Sequence, residues 1–264
     1  MENINSPIGI FDSGLGGLSI LNEISKRLPN EDIIYLADSV NAPYGEKPRE
    51  DIIRISKKNA DYLAQKSCKL IVVACNTATT NAIQFLRSNY NIPFIGIEPA
   101  MKPAILNSKN SKVGVLATKG TLSSELFAQT SKKFKTNTEI IEVIGKGIVE
   151  AIETNTTDLN EFNELLKKQL IPFKEKGIDT LVLGCTHYPL IMKNIIKHMD
   201  KTVHIIDSGY AVAKQTEKIL FEKKICSNKT GKGDVIIITN DTSLEALNTV
   251  LAKLKLDNAK IISN

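Results

Sequence analysis

No apolar run in this 264-residue sequence approaches the ~18 residues that cross a membrane. Met1 to Pro7 is short and polar, with no apolar core ahead of a cleavage site, so no secretory leader is expected. Both absences argue against a membrane partner and for a cytoplasmic protein. In that compartment the four cysteines, Cys68, Cys75, Cys185 and Cys226, are expected as reduced thiols. CxxC and HExxH spacings are lacking, which argues against a metal site. A Walker A motif is lacking too, which removes P-loop nucleotide chemistry. The net charge of +5 is mild, and no run of five or six like charges occurs. The most basic stretch, Lys223 to Lys232, has no interleaved aromatics, so no nucleic-acid partner is expected.

What remains is an ordinary soluble composition, 42% hydrophobic and 24% charged. It supplies real cores without staples, in one large domain or two medium ones. Short apolar runs alternate with helical periodicity. Strands are predicted at Ile8–Phe11, Ile33–Ala37, Leu70–Ala74, Pro93–Ile97, Val113–Ala117, Ile140–Ile144, Leu181–Leu183, Val203–Ile206, Val235–Ile238 and Lys260–Ile262. Helices are predicted between them, among others at about Thr79–Ser88, Leu122–Phe134, Ile148–Glu153 and Leu190–Met199. Such alternation means an α/β fold with parallel sheets.

The second half echoes the first. Val73-Ala74-Cys75-Asn76-Thr77 resembles Leu183-Gly184-Cys185-Thr186-His187, with the cysteines 110 residues apart. Gly9 to Ser13 resembles Gly114 to Thr118 at an offset of 105, and Pro93 to Gly96 matches Val203 to Ile206 at 110. The expectation is two pseudo-symmetric lobes, each a parallel sheet flanked by helices. The first comprises residues 1–97 plus 209–264, the second residues 98–208, with a site in the cleft between them. In parallel sheets the loops after the strands' carboxyl ends carry ligands, and both cysteines sit there.

Asp12-Ser13-Gly14-Leu15-Gly16-Gly17 follows a strand and opens a helix. As a dinucleotide fingerprint it is imperfect, because the third glycine falls at Ser19 and the acidic partner is offered only loosely by Asp38. The plainer reading is a turn whose free N–H groups hold a carboxylate. Asp12 then suits a cation, an ammonium group or a catalytic partner. A thiol near a helix amino terminus or a histidine is expected to have a lowered pKa. Three arrangements use the cysteines: zinc on Cys75, Cys185 and His187; one cysteine nucleophile helped by His187; or two thiols flanking one substrate carbon. Buried cysteines acting as small hydrophobes are the plain alternative. Cys68 and Cys226 lie among polar neighbours with no motif.

Taken together, Gly9-Ile10-Phe11-Asp12-Ser13-Gly14-Leu15-Gly16-Gly17, Pro43-Tyr44-Gly45, Val73-Ala74-Cys75-Asn76-Thr77-Ala78 and Gly184-Cys185-Thr186-His187-Tyr188-Pro189 resemble the glutamate racemases. These are cofactor-independent enzymes of the aspartate/glutamate racemase superfamily. The resemblance implies L-/D-glutamate as substrate, no cofactor or metal, and a product used in peptidoglycan. It implies Cys75 and Cys185 as the acid/base pair, assisted by Asp12, His187 and a glutamate, Glu153 or its neighbour Glu150. It implies substrate contacts from Asp12, Ser13, Tyr44, Gly45, Asn76, Thr77, Thr186 and His187. Aspartate racemisation and non-catalytic amino-acid binding are the rival readings. Sequence does not decide oligomeric state; a homodimer is compatible with the resemblance.

Overall fold

The computed structural model describes residues 3–134, 138–240, 244–256 and 259–263. Met1 and Glu2, part of the stretch read above for a leader, lie outside the described residues. The chain opens with β1 (Ile8–Asp12), α1 (Leu18–Arg27), β2 (Ile33–Ala37), α2 (Arg49–Gln65), β3 (Leu70–Val73), α3 (Asn76–Asn89) and β4 (Phe94–Gly96). α4 (Met101–Asn107) leads to β5 (Lys112–Ala117), α5 (Lys119–Leu122), α6 (Glu125–Phe134), β6 (Glu139–Ile144), α7 (Ile148–Glu153) and α8 (Asn160–Lys176). There follow β7 (Thr180–Gly184), α9 (Met192–His198) and β8 (His204–Ile206). The tail contributes α10 (Gly209–Lys223), β9 (Val235–Thr239), α11 (Glu245–Leu254) and β10 (Lys260–Ser263).

Two parallel sheets result, ordered β10-β9-β2-β1-β3-β4 and β6-β5-β7-β8. The order β2-β1-β3-β4 is repeated as β6-β5-β7-β8, so the sequence echoes fall on equivalent strands. β1 and β3 pair Phe11 with Val73, and β5 and β7 pair Leu116 with Leu183. Every residue of β1, β3 and β7 is buried. Helices on both faces explain why these strands read as unbroken Ile, Val and Leu rather than as alternation. The tail packs α10 on α1, where Glu217 accepts from Arg27 at 2.6 Å, and adds β9 beside β2.

Three local readings change, each for a physical reason. α3 starts at Asn76 rather than near Thr79. Its polar first turns look like loop in sequence, but Thr79 and Thr80 satisfy their hydroxyls on the carbonyls of Val73 (3.0 Å) and Asn76 (3.1 Å). The predicted helix at Leu122–Phe134 is two helices, α5 capped by Thr118 and α6 capped by Ser124, which accepts from the N–H of Phe127. After Cys185 the chain forms a 3-10 turn at Tyr188–Ile191, with Pro189 at its start, before α9 begins. α4 has no sequence-based counterpart; Pro103 sits in its first turn, where no N–H is needed.

Candidate active site

The carboxyl ends of β1 and β3 face those of β5 and β7. Cys75 from the first sheet and Cys185 from the second line one small cavity of ≈ 20 Å³. Ser13, Pro43, Tyr44, Gly45, Asn76, Thr77, Thr118, Val149, Thr186 and His187 complete it. Such a volume accommodates about one water, so an amino acid requires its walls to separate. A larger cleft of ≈ 480 Å³ between α2, α3 and α6 contains neither cysteine.

The two thiols have different surroundings. Cys75 is the N-cap of α3, and its Sγ accepts the N–H of Ala78 at 3.5 Å. Ser13 Oγ lies 3.8 Å from the same sulfur. Burial, reinforced by the charge of Asp12, pushes the Cys75 thiol well up. The sequence-based expectation of a lowered pKa therefore fails at Cys75, where desolvation outweighs the helix terminus. Cys185 precedes a 3-10 turn instead of an α-helix and lies 3.7 Å from Nδ1 of His187. His187 Nε2 stands 2.5 Å from Glu153 Oε1. Burial alone would favour neutral imidazole, but hydrogen bonds and charge from Cys185 and Glu153 raise His187 well above its ordinary value. The ring thus sits between the two, with Nδ1 toward the Cys185 sulfur and Nε2 toward the carboxylate, and Nε2 also lies 3.3 Å from the Gly16 N–H. Glu153, not the exposed Glu150, makes this contact.

The glycine-rich turn does hold carboxylates, and both belong to the protein. Asp12 accepts the N–H groups of Gly17 (2.9 Å) and Gly14 (3.3 Å) and the hydroxyl of Thr186 (3.3 Å). Glu153 accepts the N–H of Leu15 at 2.7 Å. Burial raises the Asp12 carboxyl, with His187 opposing. Asp12 stands behind the wall, tying the turn to Thr186, rather than among the lining residues. A Cβ on Gly16 would lie 2.2 Å from His187 Nδ1, so this turn is open for a second-lobe histidine and not for a pyrophosphate.

Among the other expected contacts, Tyr44 donates its hydroxyl to Asp38 at 2.5 Å, so only its remaining surface is left for the cavity. Gly45 abuts Thr118, whose Cβ would stand 2.8 Å from a Cβ at 45. Thr77 Oγ1 is 2.8 Å from Thr118 Oγ1 and 3.3 Å from Thr121 Oγ1, a knot of hydroxyls joining the two halves. Asn76 is buried, and neither its amide oxygen nor its nitrogen has a hydrogen-bond partner. Sequence reasoning missed Pro43, Thr118 and Val149 as lining residues, Pro43 standing only in its motif. The signal for Thr118 was present, since it occupies the place of Ser13 in the second half; Val149 offers none. Cys68 is buried against Gly9 and Cys226 is half-buried; neither lines the cavity.

Two related parallel sheets with a cysteine from each lining one cavity fit an α/β enzyme of the racemase class. Residues 9–216 match the family model described as Asp/Glu/Hydantoin racemase, and the chain belongs to that family. It is similar to glutamate racemases from Herpetosiphon aurantiacus (39% identical, 89% of this chain and 93% of the relative) and Clostridium novyi (40%, 96% and 98%). Among solved structures it is similar to a glutamate racemase isoform from Bacillus anthracis, with a TM-score of 0.89, 30% identity and coverage of 99% and 98%. It is also similar to the Francisella tularensis glutamate racemase in complex with D-glutamate, with a TM-score of 0.85, 31% identity and coverage of 99% and 97%.

Proposed function

We propose that this protein interconverts L- and D-glutamate with two thiols acting on opposite faces of Cα, without a cofactor, and supplies D-glutamate for peptidoglycan. The observation that carries the reading is that Cys75 and Cys185, each delivered by a different sheet, line one cavity. Inverting a tetrahedral carbon needs a base on one face and an acid on the other. From L-glutamate, the Cys185 thiolate takes the α-proton while the bonding pair stays on carbon, delocalised into the α-carboxylate. The Cys75 thiol then gives its proton to the other face. From D-glutamate the roles exchange. Burial and Asp12, which keep Cys75 protonated, support its part as the first acid toward L-glutamate. His187, 3.7 Å from the Cys185 sulfur and held by Glu153, is placed to assist that thiol.

In this reading residues 1–97 plus 209–264 and residues 98–208 are the two lobes, and glutamate enters when they part. The unpartnered amide of Asn76 is suited to a substrate carboxylate, with Ser13, Tyr44, Gly45, Thr77 and Thr186 around it and Asp12 holding the turn behind. Fixed donors of this kind stabilise charge as it develops on the carbanion. The substrate follows from the relatives' names and from the D-glutamate complex of one of them. Circular dichroism of an L-glutamate solution tests the reading: the signal decays to zero with enzyme present. Persistence of the signal at high enzyme concentration overturns it, and faster decay of an L-aspartate signal reassigns the substrate.

A further inference from the structure

Asp38 is a buried carboxylate at the exit of β2 that the chemistry above does not use. Among the described residues it has no cationic partner. Neutral donors surround it instead. Tyr44 donates its hydroxyl at 2.5 Å, Asn41 its amide at 2.9 Å, Asn59 at 3.4 Å, and Asn240 at 2.8 Å. Asn59 also donates to the Tyr44 hydroxyl at 3.0 Å. Asn240 belongs to the tail, one residue beyond β9, and its amide oxygen accepts the N–H of Val40 at 3.0 Å. Burial and the Asp38 charge raise the Tyr44 pKa far beyond its ordinary value, so the phenol remains a donor. A buried carboxylate requires several donors to offset its desolvation, and here they come from the loop that carries Tyr44, from α2 through Asn59 and from the tail through Asn240.

We infer that Asp38 and Asn240 are positioning residues: through the Tyr44 hydroxyl they hold the Tyr44–Gly45 wall of the cavity in its closed place. The tail, none of whose described residues lines the cavity, thereby acts on the site from behind. The inference rests on the racemase reading of the cavity. Gly45 packs directly on Thr118 of the other half, so a loosened wall weakens the binding of both enantiomers while leaving the two sulfurs where they are. The expected signature is a raised KM with a preserved kcat.

The test is steady-state kinetics on Asn240→Ala and Asn41→Ala, each of which removes a half-buried donor to Asp38. Arg27→Ala serves as a control that loosens the α1–α10 contact far from the cavity. Wild-type racemisation of glutamate in the same assay establishes the underlying reading independently. The positioning role predicts KM raised about 5- to 10-fold for L- and D-glutamate alike in both asparagine variants, less than the full worth of one hydrogen bond to a charged group because the contact reaches substrate only through Tyr44. It predicts kcat within about twofold of wild type, and an unchanged KM in Arg27→Ala. An unchanged KM in both asparagine variants overturns the inference. So does an equal rise in KM in the control, which assigns the effect to general loosening.

Discussion

Gly14 leaves no room for a side chain beside Glu153: a Cβ there would stand 2.1 Å from Oε1. The contact joins two residues 139 positions apart and sets how closely α7 approaches the turn after β1. Gly14→Ala must move either the turn or the glutamate, which breaks the Leu15 N–H bond to Glu153 and displaces Glu153 from His187. A misplacement of this order costs about 10² in rate, and overpacking costs about 1–3 kcal/mol of stability. Gly231→Ala, where nothing lies within 4 Å of the added carbon, leaves both unchanged. Kinetics and thermal unfolding of the two variants read this directly.

His187 is placed to serve Cys185 alone, and the consequence is directional. His187→Ala lowers kcat with L-glutamate more than kcat with D-glutamate. The ratio of the two kcat/KM values stays fixed by the equilibrium between enantiomers, so only the separate kcat values report it. Equal losses in the two directions reduce His187 to a loop contact.

The same histidine gives a pH dependence with a defined sign. Its folded-state pKa is raised by Cys185 and Glu153 against the opposing effect of burial. Its contribution to stability is therefore fully present below the unfolded value of about 6.5 and is lost as pH rises through the higher folded value. Denaturant unfolding of wild type and His187→Ala shows their stability gap shrinking from about pH 6 upward. A gap that widens with pH contradicts the assigned protonation.

Asn76 separates function from stability. Its amide is buried without a partner, a desolvation cost of about 1–3 kcal/mol carried by the fold. Asn76→Ala is expected to be neutral or stabilising in thermal unfolding, while kcat/KM falls by about 10²–10³ through loss of a fixed donor. Destabilisation with intact activity would make Asn76 a packing residue.

Much of this was legible in the chain. The runs at Ile8, Ile33, Leu70 and Leu181 became buried parallel strands because such strands carry no polar alternation to obscure them. The 110-residue echo located both cysteines, since equivalent strands end at equivalent loops. What was not legible depends on distance and burial. Nothing in the spacing of the polar run Asn76 to Thr80 shows that the Thr79 and Thr80 hydroxyls bond back to backbone carbonyls and allow α3 to begin at Asn76. Pro189, just ahead of the helix predicted at Leu190–Met199, lies in a 3-10 turn, which gives Cys185 a different neighbour from Cys75. The choice between Glu150 and Glu153 required knowing which side of α7 faces the turn at Leu15. The raised pKa of Cys75 reflects how deeply the thiol is buried, a property no local motif encodes.

The central claim is that two thiols divide the work, and the most direct measurement is deuterium placement in D₂O with Cys75→Ser and Cys185→Ser alongside the wild type. A serine hydroxyl is a far weaker base than a thiolate at neutral pH, so each variant loses racemisation almost completely. Starting from either enantiomer, the wild type places deuterium in the product sooner than in recovered substrate, because the product's proton comes from the opposite, solvent-exchanged thiol. Any residual α-proton exchange in the variants is confined to one enantiomer each, and to different ones: D-glutamate where Cys75 remains, L-glutamate where Cys185 remains. Racemisation at near-wild-type rate in either serine variant contradicts the two-base account and leaves that cysteine a structural residue.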